Sequence, residues 1–174
     1  VFLFLCFLCT IQVFAQTPND RSELQKLTKQ NGEVFIAVEY PHAEQAKNCR
    51  LEDVFTNTVS FAKDSLTVDF DNYTESFCEA TKLETHLLYR VRLSDLDPIK
   101  TVLVQRKYNL KNNKLLEGEP VWYEVQANTV GGRPLVREQN LLEPQTRLVS
   151  QFRIIFKTQE SAKRALTLLR RLSE

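Results

Sequence analysis

The chain has 174 residues, and its 23 basic and 22 acidic side chains leave a formal net charge of +1. That balance argues against a nucleic-acid partner, which a basic surface would mark. The only glycines, Gly32, Gly118, Gly131 and Gly132, supply no glycine-rich loop of the kind whose amides crowd around a phosphate, which argues against nucleotide-binding enzymes.

The first element is a near-continuous apolar run, Val1 to Ala15 (VFLFLCFLCTIQVFA). Its length matches a secretory signal core of roughly 7 to 15 residues and falls short of the roughly 20 that a spanning helix needs. Val13 and Ala15 suit the two subsites of a signal peptidase, and the polar TPNDRSE stretch marks the end of the run. Residues 1–15 are therefore expected to be a signal peptide, with the mature chain exported to a periplasm or the extracellular space; a membrane anchor is the alternative if the segment is retained. Leu5 and Leu8 stand where a small residue precedes a lipidated cysteine, so Cys6 and Cys9 are not expected to carry lipid.

Residues 16–51 read as an N-terminal arm. Within it Asp20 to Asn31 (DRSELQKLTKQN) predicts a short helix, with Asp20 as N-cap, Glu23 at the capping-box position and Gly32 past the end. Leu24 and Leu27 give it a thin apolar face. The following Gly32 to Asn48 segment is either a strand (EVFIAVEY, closed by Pro41) or irregular. Cys49 and Cys78 are the cysteines left after the signal. In an exported chain they suggest one bridge, whose loop of about 30 residues would stabilise the fold by roughly 3.5 kcal/mol; two unpaired buried thiols are the alternative, and a redox or metal role the third, with neither C-x-x-C nor a clustered His to favour it.

Residues 52–174 turn to strands of period two. Phe55, Val59 and Phe61 alternate in the first, and Leu66, Val68 and Phe70 in the second, with Lys63-Asp64 as the hairpin turn. THLLYRVRL sets Leu87, Tyr89, Val91 and Leu93 on one face and His86, Arg90 and Arg92 on the other. SDLDP stops that strand, because Pro98 cannot continue a ladder. KTVLVQRKY follows, then a polar connection (NLKNNKLLEGE), then VWYEVQAN, then a long loop from Asn128 to Thr146. RLVSQFRIIFKT is the last strand, with Leu148, Phe152, Ile154 and Phe156 on one face. A helix from Gln159 to Leu172 ends the chain, its stripe made of Ala162, Ala165, Leu166, Leu169 and Leu172. The fold class expected is α+β, mostly β: a bent antiparallel sheet or barrel of about seven strands capped by a C-terminal amphipathic helix.

Two segments, YRVRLSDLDP (Tyr89 to Pro98) and FRIIFKTQESAKRALTLLRRL (Phe152 to Leu172), resemble the strand-then-turn step and the closing strand and helix of PH-like (pleckstrin-homology-like) domains in exported bacterial proteins of uncharacterised function. The resemblance spans residues 52–174. It implies a barrel sealed by Phe156, with Ala162 and Ala165 letting the helix approach closely. It carries over no lipid-binding residues, since the first hairpin offers only Lys63 beside Asp64.

No catalytic motif stands out, so no enzyme, cofactor or metal is expected. His42 and His86 read as solvated side chains. The pairs Asp69/Asp71 and Asp95/Asp97 could offer carboxylates to a hard cation, but read as turn and surface residues. The candidate interaction surface is Trp122 and Tyr123, beside the long loop, with a basic stripe of Arg90, Arg92, Arg106 and Lys107 suited to an acidic partner or anionic lipid. The functional expectation is a non-enzymatic interaction module for a protein or envelope component. A carrier or sensor of a small apolar or lipid ligand is the alternative, with Phe61, Phe70, Tyr89, Phe152 and Phe156 as the side chains that either fill or leave its pocket. A hydrolase with dispersed catalytic residues is the third reading.

Overall fold

The computed structural model describes residues 18–41, 48–79, 81–111, 113–118, 120–143 and 145–174. The expected signal segment and His42 lie outside them. Helix α1 spans Pro18–Asn31, followed by β1 (Glu33–Pro41), β2 (Asn48–Ala62), β3 (Ser65–Ser76), β4 (Thr81–Arg92), β5 (Val102–Lys107), β6 (Lys114–Gly118), β7 (Val121–Asn128), β8 (Val136–Asn140), β9 (Gln145–Val149), β10 (Gln151–Phe156) and helix α2 (Gln159–Ser173). The protein is α+β and mostly β, with a C-terminal helix.

The strands form two open antiparallel sheets, not one closed barrel. A seven-stranded sheet runs β6-β1-β2-β3-β4-β8-β9, and a three-stranded sheet runs β10-β7-β5. Ten strands stand among the described residues where about seven were expected. Segment 33–41 takes its strand alternative and sits between β2 and β6, so it is built into the sheet and is not an arm. The polar connection holds β6 and the long loop holds β8. The expected last strand breaks at Ser150: its RLV joins the end of the loop as β9 in the large sheet and its QFRIIF forms β10 in the small one, so exposed Leu148 does not share a face with buried Phe152, Ile154 and Phe156. Strands β6, β8 and β9 are largely exposed or carry charge on their inner face, and so lack the apolar alternation that marks a half-buried strand.

Helix α1 begins at Pro18, two residues before the expected cap. Proline's fixed φ suits a first helical position, and Asp20 falls in the first turn, where its carboxylate accepts from Arg171 Nη2 at 2.9 Å. Helix α2 is capped by Thr158, whose Oγ1 accepts from Ser161 N at 3.2 Å. It buries Ala162, Ala165, Leu168, Leu169 and Leu172, so Leu168 takes the place expected of Leu166. The helices pack side by side, joined by Arg164 on Glu23 at 2.5 and 2.7 Å. Helix α1 rests on β2, and α2 on the three-stranded sheet. Among the described residues no helix is long and apolar enough to cross a membrane.

The free edge of the small sheet is hydrogen-bonded to the large one through a buried side chain. Buried Asn57 on β2 donates from Nδ2 to the carbonyls of Gly32 and Ile155, each at 3.2 Å, and its Oδ1 accepts the Ile155 N–H. The free edge of β10 thus finds an amide where another strand would lie. Gly32 is required beside it, because a Cβ there would stand 2.3 Å from Asn57 Nδ2.

Cys49 and Cys78 are joined by a disulfide with Cα atoms 5.6 Å apart. The β2–β3 register, with Leu51 opposite Ser76, sets them directly across from each other two residues beyond that pair.

Two stability measurements test this frame. Asn57→Leu leaves the Ile155 N–H and C=O buried without partners and should cost roughly 2–5 kcal/mol in urea unfolding. Asn57→Asp, which keeps the acceptor but loses both donated bonds and buries a charge, should do no better. Reduction of Cys49–Cys78 should cost about 3.5 kcal/mol, and a Cys49→Ser/Cys78→Ser variant should melt like the reduced protein; equal melts with and without reductant would remove the bridge from the stability account.

Candidate functional site: a charge-lined cleft between the sheets

Alternation on β7 puts Trp122, Glu124 and Gln126 on one face, and the register adds Arg106 from β5 and Arg153 from β10. That face turns toward the seven-stranded sheet. Trp122 stacks on Phe55 with centroids 5.5 Å apart, and the Arg153 guanidinium lies 4.8 Å from the Phe70 ring centre. The opposite face, with Val125, Ile154 and Phe156, is buried.

Glu124 is 1% exposed. A carboxylate taken this far from water needs donors at its lone pairs. It accepts from Arg106 Nε at 3.0 Å, Trp122 Nε1 at 3.2 Å, and Arg153 Nη1 and Gln126 Nε2 at 3.5 Å. A second buried carboxylate, Glu138 on β8, accepts from Arg147 Nε on neighbouring β9. Burial, reinforced by the neighbouring Glu138 charge, pushes the Tyr89 phenol up to about 12. Tyr89 remains a donor throughout the neutral range.

Between these groups lies a cleft of about 590 Å³, walled by Tyr89, Arg106, Glu124, Glu138, Arg147 and Arg153. That volume is within the range of small-ligand sites. Three guanidiniums face two carboxylates, so the walls carry one net positive charge. Arg106 and Arg147 reach the carboxylates through Nε and are 44% and 73% exposed as side chains, which leaves their Nη ends toward solvent. The arrangement suits an anionic group entering from outside. It does not suit proton transfer by Glu124, whose oxygens are occupied by four donors.

The expected interaction residues are dispersed. Trp122 faces the inter-sheet space and Tyr123 the opposite face of β7. Arg90 and Arg92 are exposed on β4, in the other sheet from Arg106 and Lys107 on β5, and those two point to opposite faces of their own strand. The four do not form a stripe, because the chain leaves one sheet at Leu93 and joins the other at Val102. Only Arg106 belongs to the cleft. Glu124, Glu138, Arg147 and Arg153 were missed; the signal for Glu124 and Arg153 was a charge at an alternating position of an otherwise apolar strand, as in VWYEVQA and QFRIIF, whereas Glu138 and Arg147 lie in the polar strands VREQN and QTRLV and had no such signal.

On the outer face, His86 bonds Asp69 Oδ1 through Nε2 at 2.7 Å and lies 3.4 Å from Asp71 Oδ1 through Nδ1. Burial holds the Asp71 carboxyl above its usual range, against the pull of His86. These are donors a divalent cation can use. All three side chains are a third to a half exposed and His86 is already engaged by both carboxylates, so the group is described as a hydrogen-bonded charge cluster. Asp97 closes a turn, accepting from Ile99 N and Lys100 N at 3.0 Å.

No family model matches this chain, and no curated protein or solved structure matches it either.

The cleft's charges have unequal weight. Glu124→Ala strips two guanidiniums and an indole N–H of their shared acceptor and should cost roughly 3–5 kcal/mol. Arg106→Ala leaves Glu124 three donors and should cost clearly less, which urea unfolding of both variants will show; equal costs would mean that Glu124 is not the hub.

Proposed function

We propose that this chain is an exported, non-enzymatic interaction module of the cell envelope, related to PH-like docking domains, and that its partner enters the cleft between the sheets. The observation that carries the reading is the buried Glu124 with Arg106, Arg153 and Trp122 gathered on it. These side chains are held in place before any partner arrives, which lowers the ordering cost of binding. Arg106 and Arg147 meet their carboxylates through Nε and stay partly exposed, while the carboxylate oxygens are already used.

The apolar-ligand reading has less support. Phe70, Tyr89, Phe152 and Phe156 are buried and occupy the space a lipid tail would need, with the Tyr89 and Phe152 rings stacked at 6.0 Å. The cleft that remains is walled by charge, which an apolar ligand would have to desolvate.

Selection of random peptides displayed on phage against the oxidised protein, counter-selected on an Arg106→Ala/Arg147→Ala variant, tests the docking reading. Enrichment of sequences that the variant fails to hold is expected. Absence of enrichment, together with a small molecule lost on denaturation in native mass spectra, would move the protein to the carrier class.

A further inference from the structure

Each sheet in this fold ends in strands paired on one side only, and three of the four are guarded among the described residues. Strand β10 has Asn57 against its free edge. Strand β5 ends in Arg106 and Lys107, and β6 carries Lys114 and Glu117 and pairs with β1 through a register shift. Charges and bulges of this kind deter the addition of a further strand. Strand β9 (QTRLV) has neither lysine nor proline, and its ladder with β8 runs without a shift. Its residues are exposed or half-buried, Leu148 to 62%. Its one charge, Arg147, points into the cleft at Glu138.

We propose that β9 is the docking edge, and that its partner is an acidic, extended segment of another protein, which adds as a strand and sets a carboxylate against Arg147. This rests on the docking reading above and names the partner's chemistry. An added strand covers the Arg147 guanidinium, which meets Glu138 through Nε. A neutral or basic strand leaves that cation short of an acceptor, whereas a Glu or Asp opposite completes it. Arg147 is thus the selector. A second copy of this chain is the poorer occupant: Arg147 is the middle residue of the five in β9, so antiparallel self-pairing about that centre sets it against its own copy. The main-chain bonds of strand addition supply affinity and the alternate side chains supply the choice of partner.

The test uses the oxidised full chain and a short, end-blocked, fluorescein-labelled peptide alternating Glu with Val. Three comparators are the same peptide with Lys for Glu, the same peptide N-methylated at every residue, and an Arg147→Glu protein. The acidic peptide should bind by anisotropy, should slow hydrogen exchange of the β9 amides, and should weaken as salt is raised. Each comparator should weaken binding roughly tenfold or more. Equal binding of the Lys or N-methylated peptide overturns the proposal without any variant protein, as does a β9-mediated dimer that shuts the peptide out. If the acidic peptide fails while other displayed sequences are enriched, strand addition falls and the docking reading stands; if nothing binds by either route, both fall.

Discussion

The structure depends on the amide of Asn57. Two antiparallel sheets of unequal size meet with one edge, that of β10, turned toward the inner face of β2, and a buried strand edge without partners would leave main-chain groups stranded away from water. Asn57 presents a C=O and an NH₂ in the geometry of a peptide group, and so satisfies Ile155 at both its N–H and its C=O while also reaching the Gly32 carbonyl. The same contact fixes where α1 ends, since Gly32 accepts this approach only without a side chain. The end of α1, β2 and β10 are therefore registered against one another by a single residue, and the Lys157 N–H to Asn31 carbonyl bond at 3.0 Å continues the seam toward α2.

Joining the sheets in this way leaves an unusual interior. Part of the space between two packed sheets is lined with Arg, Glu, Gln and Trp where apolar side chains are the ordinary choice. Burying Glu124 gains stability only if its donors are complete, and replacing the whole cluster with hydrophobic residues would often be neutral or stabilising. The cluster is thus poorly explained as a device for stability alone. What it presents is a set of guanidiniums held in place by the carboxylates behind them.

The parts of the fold that were legible in the sequence are those whose burial is one-sided and apolar. The alternations of Leu66, Val68 and Phe70 and of Leu87, Tyr89 and Val91 mark β3 and β4 because one face meets the core. The stripe of α2 is legible for the same reason. Strands β6 and β8 were not legible, and β9 was read as the start of β10, because exposed residues at the sheet edges carry no period and Glu138 puts a charge on the one buried face of β8. The cleft was missed through the same rule: hydrophobic periodicity reads a charge as solvent-facing, whereas Glu124 and Arg153 face inward and are neutralised by residues from other strands. Pairings such as Glu124 with Arg153 depend on a register between β7 and β10 that local pattern does not contain.

The rigidity of the cleft follows from where the chain changes sheets. Strand β9 closes the large sheet and β10 opens the small one, with Ser150 alone between them. That corner is held from outside: the Ser150 carbonyl accepts from Thr129 N at 3.0 Å and from Thr129 Oγ1 at 3.1 Å, and Thr129 is itself bridged to Leu96. The middle of the segment 145–156 is thus fixed by Thr129 and its far end by Asn57, with Arg147 and Arg153 on either side of the fixed corner. A partner meeting these two arginines would meet groups whose spacing is set by main-chain bonds, so little conformational entropy remains to be lost on their side of the interface. The element that joins the sheets and the element that lines the cleft are one continuous stretch of chain, which is why the constraint at Asn57 reaches the site.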